Sequence, residues 1–179
     1  MKDFAGKGLW GRTVGRVQIA RESRAYAWLG AMEGVPRFVG RVDAHALALA
    51  EVDGRQLAFA RDLHPQGRAI LERLRALMDR MHARGLAHLD LRGRENVMVR
   101  ADGELVVVDL AGAVRLRPGG LAHRLFFRWL ERADESAFLK WKLLLDPAGL
   151  TMEERDFLRR FGRLRSLWIF NRKGDEWRR

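Results

Sequence analysis

The chain has 179 residues, 47% of them apolar, no cysteine and a formal charge of +11. That length and apolar fraction suit one globular domain with a real core and exclude a disordered chain. The missing cysteines exclude disulfides and thiolate zinc sites. The positive balance favours acidic partners: nucleotide phosphates, anionic lipid or sugar phosphate, or RNA.

The stretch Met1 to Arg12 lacks the apolar segment of a signal peptide, and no apolar run approaches the roughly 20 residues that span a bilayer. A cytoplasmic protein is expected, soluble or held at the inner face of the cytoplasmic membrane. Met1 to Phe4 reads as the end of a strand, and Gly6 to Gly15 as a glycine-rich loop. Val17 to Leu29 reads as a helix with Ile19, Ala25, Tyr26 and Leu29 inward. Gly34-Val35-Pro36 marks a turn. Arg37 to Val42 and Ala46 to Val52 read as short strands, followed by the turn signal Asp53-Gly54 and an irregular link from Leu57 to Pro65.

Arg68 to Arg84 is the clearest helix. Ile70, Leu71, Leu74, Leu77, Met78 and Met81 recur at helical spacing, and Gly85 stands where a terminating glycine belongs. A loop around His88 follows. Then come a strand Val97 to Val99, the turn Ala101-Asp102-Gly103 and a strand Leu105 to Val108; Asp-Gly between two apolar runs signals a hairpin. Leu121 to Arg132 reads as a helix with Leu125, Phe126, Trp129 and Leu130 on one side. Thr151 and Glu154 form a capping-box pattern ahead of Phe157, Leu158, Phe161 and Leu164. The aromatic residues of this last third are expected in the core. The rival reading, from Arg alternating with Phe, Leu and Trp, is a peripheral membrane face.

The chemistry concentrates in His88-Leu89-Asp90-Leu91-Arg92-Gly93-Arg94-Glu95-Asn96 and in Val106-Val107-Val108-Asp109-Leu110-Ala111-Gly112. Phosphoryl transfer asks for a carboxylate at the acceptor hydroxyl, hard oxygen ligands for Mg²⁺ and positive charge on the phosphates. Asp90 can be the base, and Asn96 and Asp109 offer the oxygen ligands. Arg92 can place a guanidinium on the transferring phosphate. His88 suits a bracing role. The hairpin brings Asp109 back beside Asn96. Each residue alone has a bland reading as a turn, cap or strand-end residue; their order after an amphipathic helix is what points to a site. His45, His64, His82 and His123 show no metal-ligand spacing and read as surface or helix-face residues.

This set resembles the catalytic core of the protein-kinase-like superfamily, and looks closest to small bacterial RIO-type and lipopolysaccharide (Kdo) kinases. The resemblance covers Lys2 to about Val114. It implies an α+β, compact kinase-like fold with a truncated N-terminal sheet lobe (residues 1–54) and a mainly helical C-terminal lobe (55–179). It implies Asp90 as the catalytic aspartate, Asn96 and Asp109 as metal ligands, and ATP and Mg²⁺ as cofactors. Lys2 resembles the lysine that touches the α- and β-phosphates, Glu22 its helix partner, and Glu51-Val52-Asp53-Gly54 the hinge beside the adenine. The usual motif places Asn five residues after Asp, whereas here the interval is six. In this alignment the first two strands and the glycine loop would lie upstream of Met1. Gly6-Lys7-Gly8-Leu9-Trp10-Gly11 matches G-x-G-x-x-G literally, but without a preceding strand or a following lysine strand it reads as a connector.

The expected activity is transfer of the γ-phosphate of ATP to a hydroxyl of a protein or an envelope glycolipid, an acidic acceptor in either case. Peripheral membrane association fits the basic aromatic helices, and nucleic acid is the less favoured partner. The rival function is a catalytically inactive kinase-like binding module with a basic surface for RNA, lipid or protein. A small-molecule kinase sharing the His-x-Asp pattern ranks third, because the basic balance does not suggest the acidic pocket it would need.

Overall fold

The computed structural model describes residues 2–3 and 9–166. The fold is α+β, with small antiparallel sheets placed around three long helices and a shorter fourth. The first sheet joins β1 (Lys2–Asp3), β2 (Phe38–Arg41) and β3 (Ala46–Leu49) in the order β1-β3-β2. Lys2 pairs with Leu47 and Phe38 with Leu49, with an irregularity between Phe38 and Gly40. Asp43 closes the β2–β3 turn, its Oδ1 accepting from His45 N at 2.6 Å and Ala46 N at 2.9 Å. Helix α1 (Leu9–Leu29) lies between this sheet and the turn that follows Asp109.

The central sheet, β4-β6-β7, is built from Gly54–Gln56, Val97–Arg100 and Leu105–Val107. A two-stranded ladder pairs β5 (Leu86–Ala87) with β8 (Val114–Arg115). Helix α2 (Gly67–Ala83) buries the whole predicted stripe Ile70, Leu71, Leu74, Leu77, Met78 and Met81. Each such side chain removed from water contributes roughly 1.5–3 kcal/mol before entropy is set against it. The same core takes Tyr26 and Leu29 from α1, Val97 and Val107 from the hairpin, and Trp141 and Leu145 from α3 (Leu121–Leu145). Gly85 ends α2 in the left-handed region at φ +70°, and a β-carbon there would lie 2.0 Å from the Leu116 carbonyl oxygen, so only glycine serves. Helix α4 (Met152–Ser166) opens with the expected capping box: Glu154 N donates to Thr151 Oγ1 at 3.2 Å and Thr151 N to Glu154 Oε2 at 2.8 Å.

Four expectations are corrected. The glycine-rich stretch is helical from Leu9 onward, and Gly6 to Gly8 lie outside the described residues. Glycine inside a helix costs about 0.5–1 kcal/mol relative to alanine; here Gly15 is buried, so close packing of α1 overrides its propensity. The strand β4 was not expected, because Gly54-Arg55-Gln56 is short, polar and exposed, and pairing with Arg100, Val99 and Met98 alone defines it. Helix α3 runs on to Leu145, since nothing between Arg132 and Asp146 breaks a helix. Its aromatic stripe is not core: Leu125, Phe126 and Trp129 are 57%, 59% and 66% exposed.

Candidate active site

Asp134 of α3 organises the loop that carries Asp90. Its carboxylate is 1% exposed and accepts from His88 N at 2.8 Å and from Leu89 N at 2.7 Å. His82 Nε2 of α2 lies 2.9 Å from the same group. Two successive amides can face one carboxylate because Leu89 adopts φ +63°. A left-handed leucine costs about 1–3 kcal/mol, a strain held only where the surroundings over-determine it. Hydrogen bonds to a charged acceptor, about 1.5–3 kcal/mol each, offset that cost. Asp134, His82 and Trp141 were missed by the sequence reading. Trp141 is fully buried and its Nε1 donates to Leu91 O at 2.8 Å, pinning the loop from the same helix.

The His88 ring joins the two halves of the site. Asp90 N can only donate, so Nδ1, at 3.2 Å, accepts; the Val108 carbonyl can only accept, so Nε2, at 3.1 Å, carries the proton. The neutral Nε2–H tautomer thus braces Asp90 and the end of β7 together, the role expected of His88. His82 lies on a face of α2, as read, and is largely covered there; His45, read the same way, is buried.

The six-residue interval is taken up by two consecutive turns. Gly93 N donates to Asp90 O and Asn96 N to Gly93 O. Asn96 is buried, and its Nδ2 donates to Asp90 O at 2.7 Å and lies 3.4 Å from Asp90 Oδ2. A β-carbon on residue 93 would sit 2.6 Å from that nitrogen, so Gly93 is what lets the turn close. Val108 N donates to Asn96 O at 2.9 Å, and Val97 pairs with Val107, which sets Asp109 next to Asn96. A methyl group on Gly112 would lie 3.5 Å from Asp90 Cβ, so the turn after Asp109 also abuts Asp90.

Asp109 is the second left-handed non-glycine residue, at φ +61°. Its Oδ1 accepts from Ala111 N at 3.3 Å, and its backbone N–H donates to Tyr26 Oη at 3.1 Å. Burial pushes the Tyr26 phenol well above its ordinary value, and the Glu22 and Asp109 carboxylates push it further. Glu22 stands one turn before Tyr26 on α1 and is 1% exposed. Asp90, Asn96 and Asp109 are therefore drawn together, with Glu22 behind them across Tyr26. Lys2 lies in β1, but its side chain is outside those described. Glu51 and Asp53 are exposed on the link between β3 and β4, and among the described residues no hydrogen bond ties them to the loop. Arg92 leans onto α3, with one guanidinium nitrogen 3.4 Å from Ser136 O.

Two carboxylates and a carboxamide at one loop junction form an all-oxygen donor set, the chemistry a hard divalent cation prefers. Among the described residues, no three His, Asp or Glu side chains cluster as a metal cage. A cation at this junction would rest on Asn96 and Asp109 and complete its shell from phosphate oxygens and water, as Mg²⁺ commonly does. No helix among the described residues is long and apolar enough to cross a membrane. In comparisons with known proteins, no family model matches the chain and no curated protein does.

Proposed function

We propose that this chain is an ATP- and Mg²⁺-dependent phosphotransferase with a compact kinase-like fold. One observation carries the reading: Asn96 is hydrogen-bonded to Asp90, the β6–β7 hairpin returns Asp109 beside Asn96, and His88 and Asp134 brace the loop. In this mechanism the acceptor hydroxyl, from a protein or an envelope glycolipid, donates a hydrogen bond to the Asp90 carboxylate. Asp90 takes that proton as the acceptor oxygen bonds to the γ-phosphorus and the bond to the ADP oxygen breaks. Asn96 and Asp109 would hold Mg²⁺, which would supply charge neutralisation on the phosphates. In this reading Lys2 would meet the α- and β-phosphates with Glu22 as its partner, and the link at Glu51 to Asp53 would border the adenine. Arg92 would place its guanidinium on the transferring phosphate, and one of its nitrogens lies 3.4 Å from Ser136 O of α3. The rival reading is a catalytically inactive kinase-like binding module with a basic surface.

Calorimetry separates the two. ATP binding to the parent should require Mg²⁺ and weaken at least about tenfold in Asp109→Asn, the loss of one charged contact. Asp90→Ala should keep that binding while abolishing transfer. A folded parent that binds no ATP with Mg²⁺ overturns the proposal.

A further inference from the structure

We infer that the first half of α3 is a docking face for an anionic lipid surface. Leu121, Leu125, Phe126 and Trp129 are 73%, 57%, 59% and 66% exposed. At 100° per residue they fall within about 140° of one another on the helix wheel, opposite the buried Phe127. Singly exposed apolar residues need no explanation, but four in one stripe form a contiguous patch. Arg124, Arg128 and Arg132, also exposed, recur every fourth residue along one edge of it. The Arg132 guanidinium lies 5.5 Å from the centre of the Trp129 ring. A tryptophan flanked by arginines on an amphipathic helix suits the boundary between headgroups and acyl chains: the apolar bodies enter, and the guanidinium groups meet lipid phosphate.

Charge selects this occupant. The exposed arginine row, in a chain of formal charge +11, complements an anionic surface; Arg128, Trp129 and Arg132 also border a cleft shared with Arg75, His82, Asp79, Glu131 and Glu135. Leu121, Leu125 and Phe126 lie outside that cleft, and exposed apolar side chains beside arginines on a helix suit insertion into a bilayer more than the cationic groove a nucleic-acid strand follows. The face is rigidly tied to the candidate site, because Asp134 follows Trp129 by five residues on the same helix, about 7.5 Å along its axis.

The test is co-sedimentation of the full chain with phosphatidylcholine vesicles, with and without phosphatidylglycerol, in the absence of nucleotide. The parent should pellet only with the phosphatidylglycerol vesicles, and less at high salt. The double variant Phe126→Glu/Trp129→Glu should lose at least about tenfold in partitioning, and Arg124→Gln/Arg128→Gln a similar factor at roughly fivefold per arginine. Unchanged circular dichroism would show that both variants fold. Failure of the parent to bind, or equal binding by both variants, overturns the inference. So does a dimer or an RNA complex of the parent that the glutamate variant dissolves while vesicles go unbound. Because no nucleotide is present, failure here leaves the ATP-binding result untouched.

Discussion

From Asp134 to Leu145, α3 buries Phe138, Leu139, Trp141 and Leu145 together with the polar Asp134 and Ser136; from Leu121 to Arg132 it leaves Leu125, Phe126 and Trp129 in solvent. The two halves have similar apolar content and follow the same helical period. What separates them is a buried acid in one and an exposed aromatic stripe in the other. Both are departures from the ordinary distribution of residues, and departures are what carry information about function. Periodicity tells that a helix has an apolar side, not what that side meets.

The contrast can be broken. Asp134→Ala leaves the His88 and Leu89 amides and His82 without their acceptor, so about 3–5 kcal/mol of stability should be lost in urea unfolding. If the loss is under about 1 kcal/mol, the second half of α3 does not organise the loop. An intermediate effect is expected where α3 meets α4. Lys142 Nζ lies 2.7 Å from Glu154 Oε1. Partial burial alone would raise the Glu154 carboxyl, but hydrogen bonds from Lys142 and Thr151 outweigh it and hold the group below its ordinary 4.5. With the folded value depressed, the stabilisation is present above the unfolded value and is lost as pH falls through the folded one. Glu154→Gln should therefore cost at most about 1 kcal/mol at neutral pH and nothing in strong acid, read from paired unfolding curves. The smallest effect belongs to the exposed half: Phe126→Ser should change stability by no more than about 0.5 kcal/mol. A loss as large as that for Asp134→Ala would erase the distinction between the halves.

Much of this was legible where the signal is local. The α2 stripe, its terminating Gly85, the hairpin around Asp102-Gly103 and the Thr151–Glu154 box are each set by neighbours within a few residues, and the structure has all of them. The juxtaposition of Asn96 with Asp109 followed from the same hairpin. Asp134 was invisible for the opposite reason. An acid in mid-helix looks like a solvated residue, and its partners lie 45 and 46 positions away. The early start of α1 and the strand β4 likewise depend on packing and pairing that override weak propensity. The exposed aromatic stripe was misread because amphipathicity is the same whether the apolar side meets protein or lipid.

Tyr26 is the only tyrosine in the chain, and its hydroxyl is bonded to the backbone of Asp109. Selective isotopic labelling would therefore give a single set of tyrosine ring resonances, located at the joint between α1 and the loop. Whatever shifts α1 against Asp109 would be read from one signal, without an engineered probe.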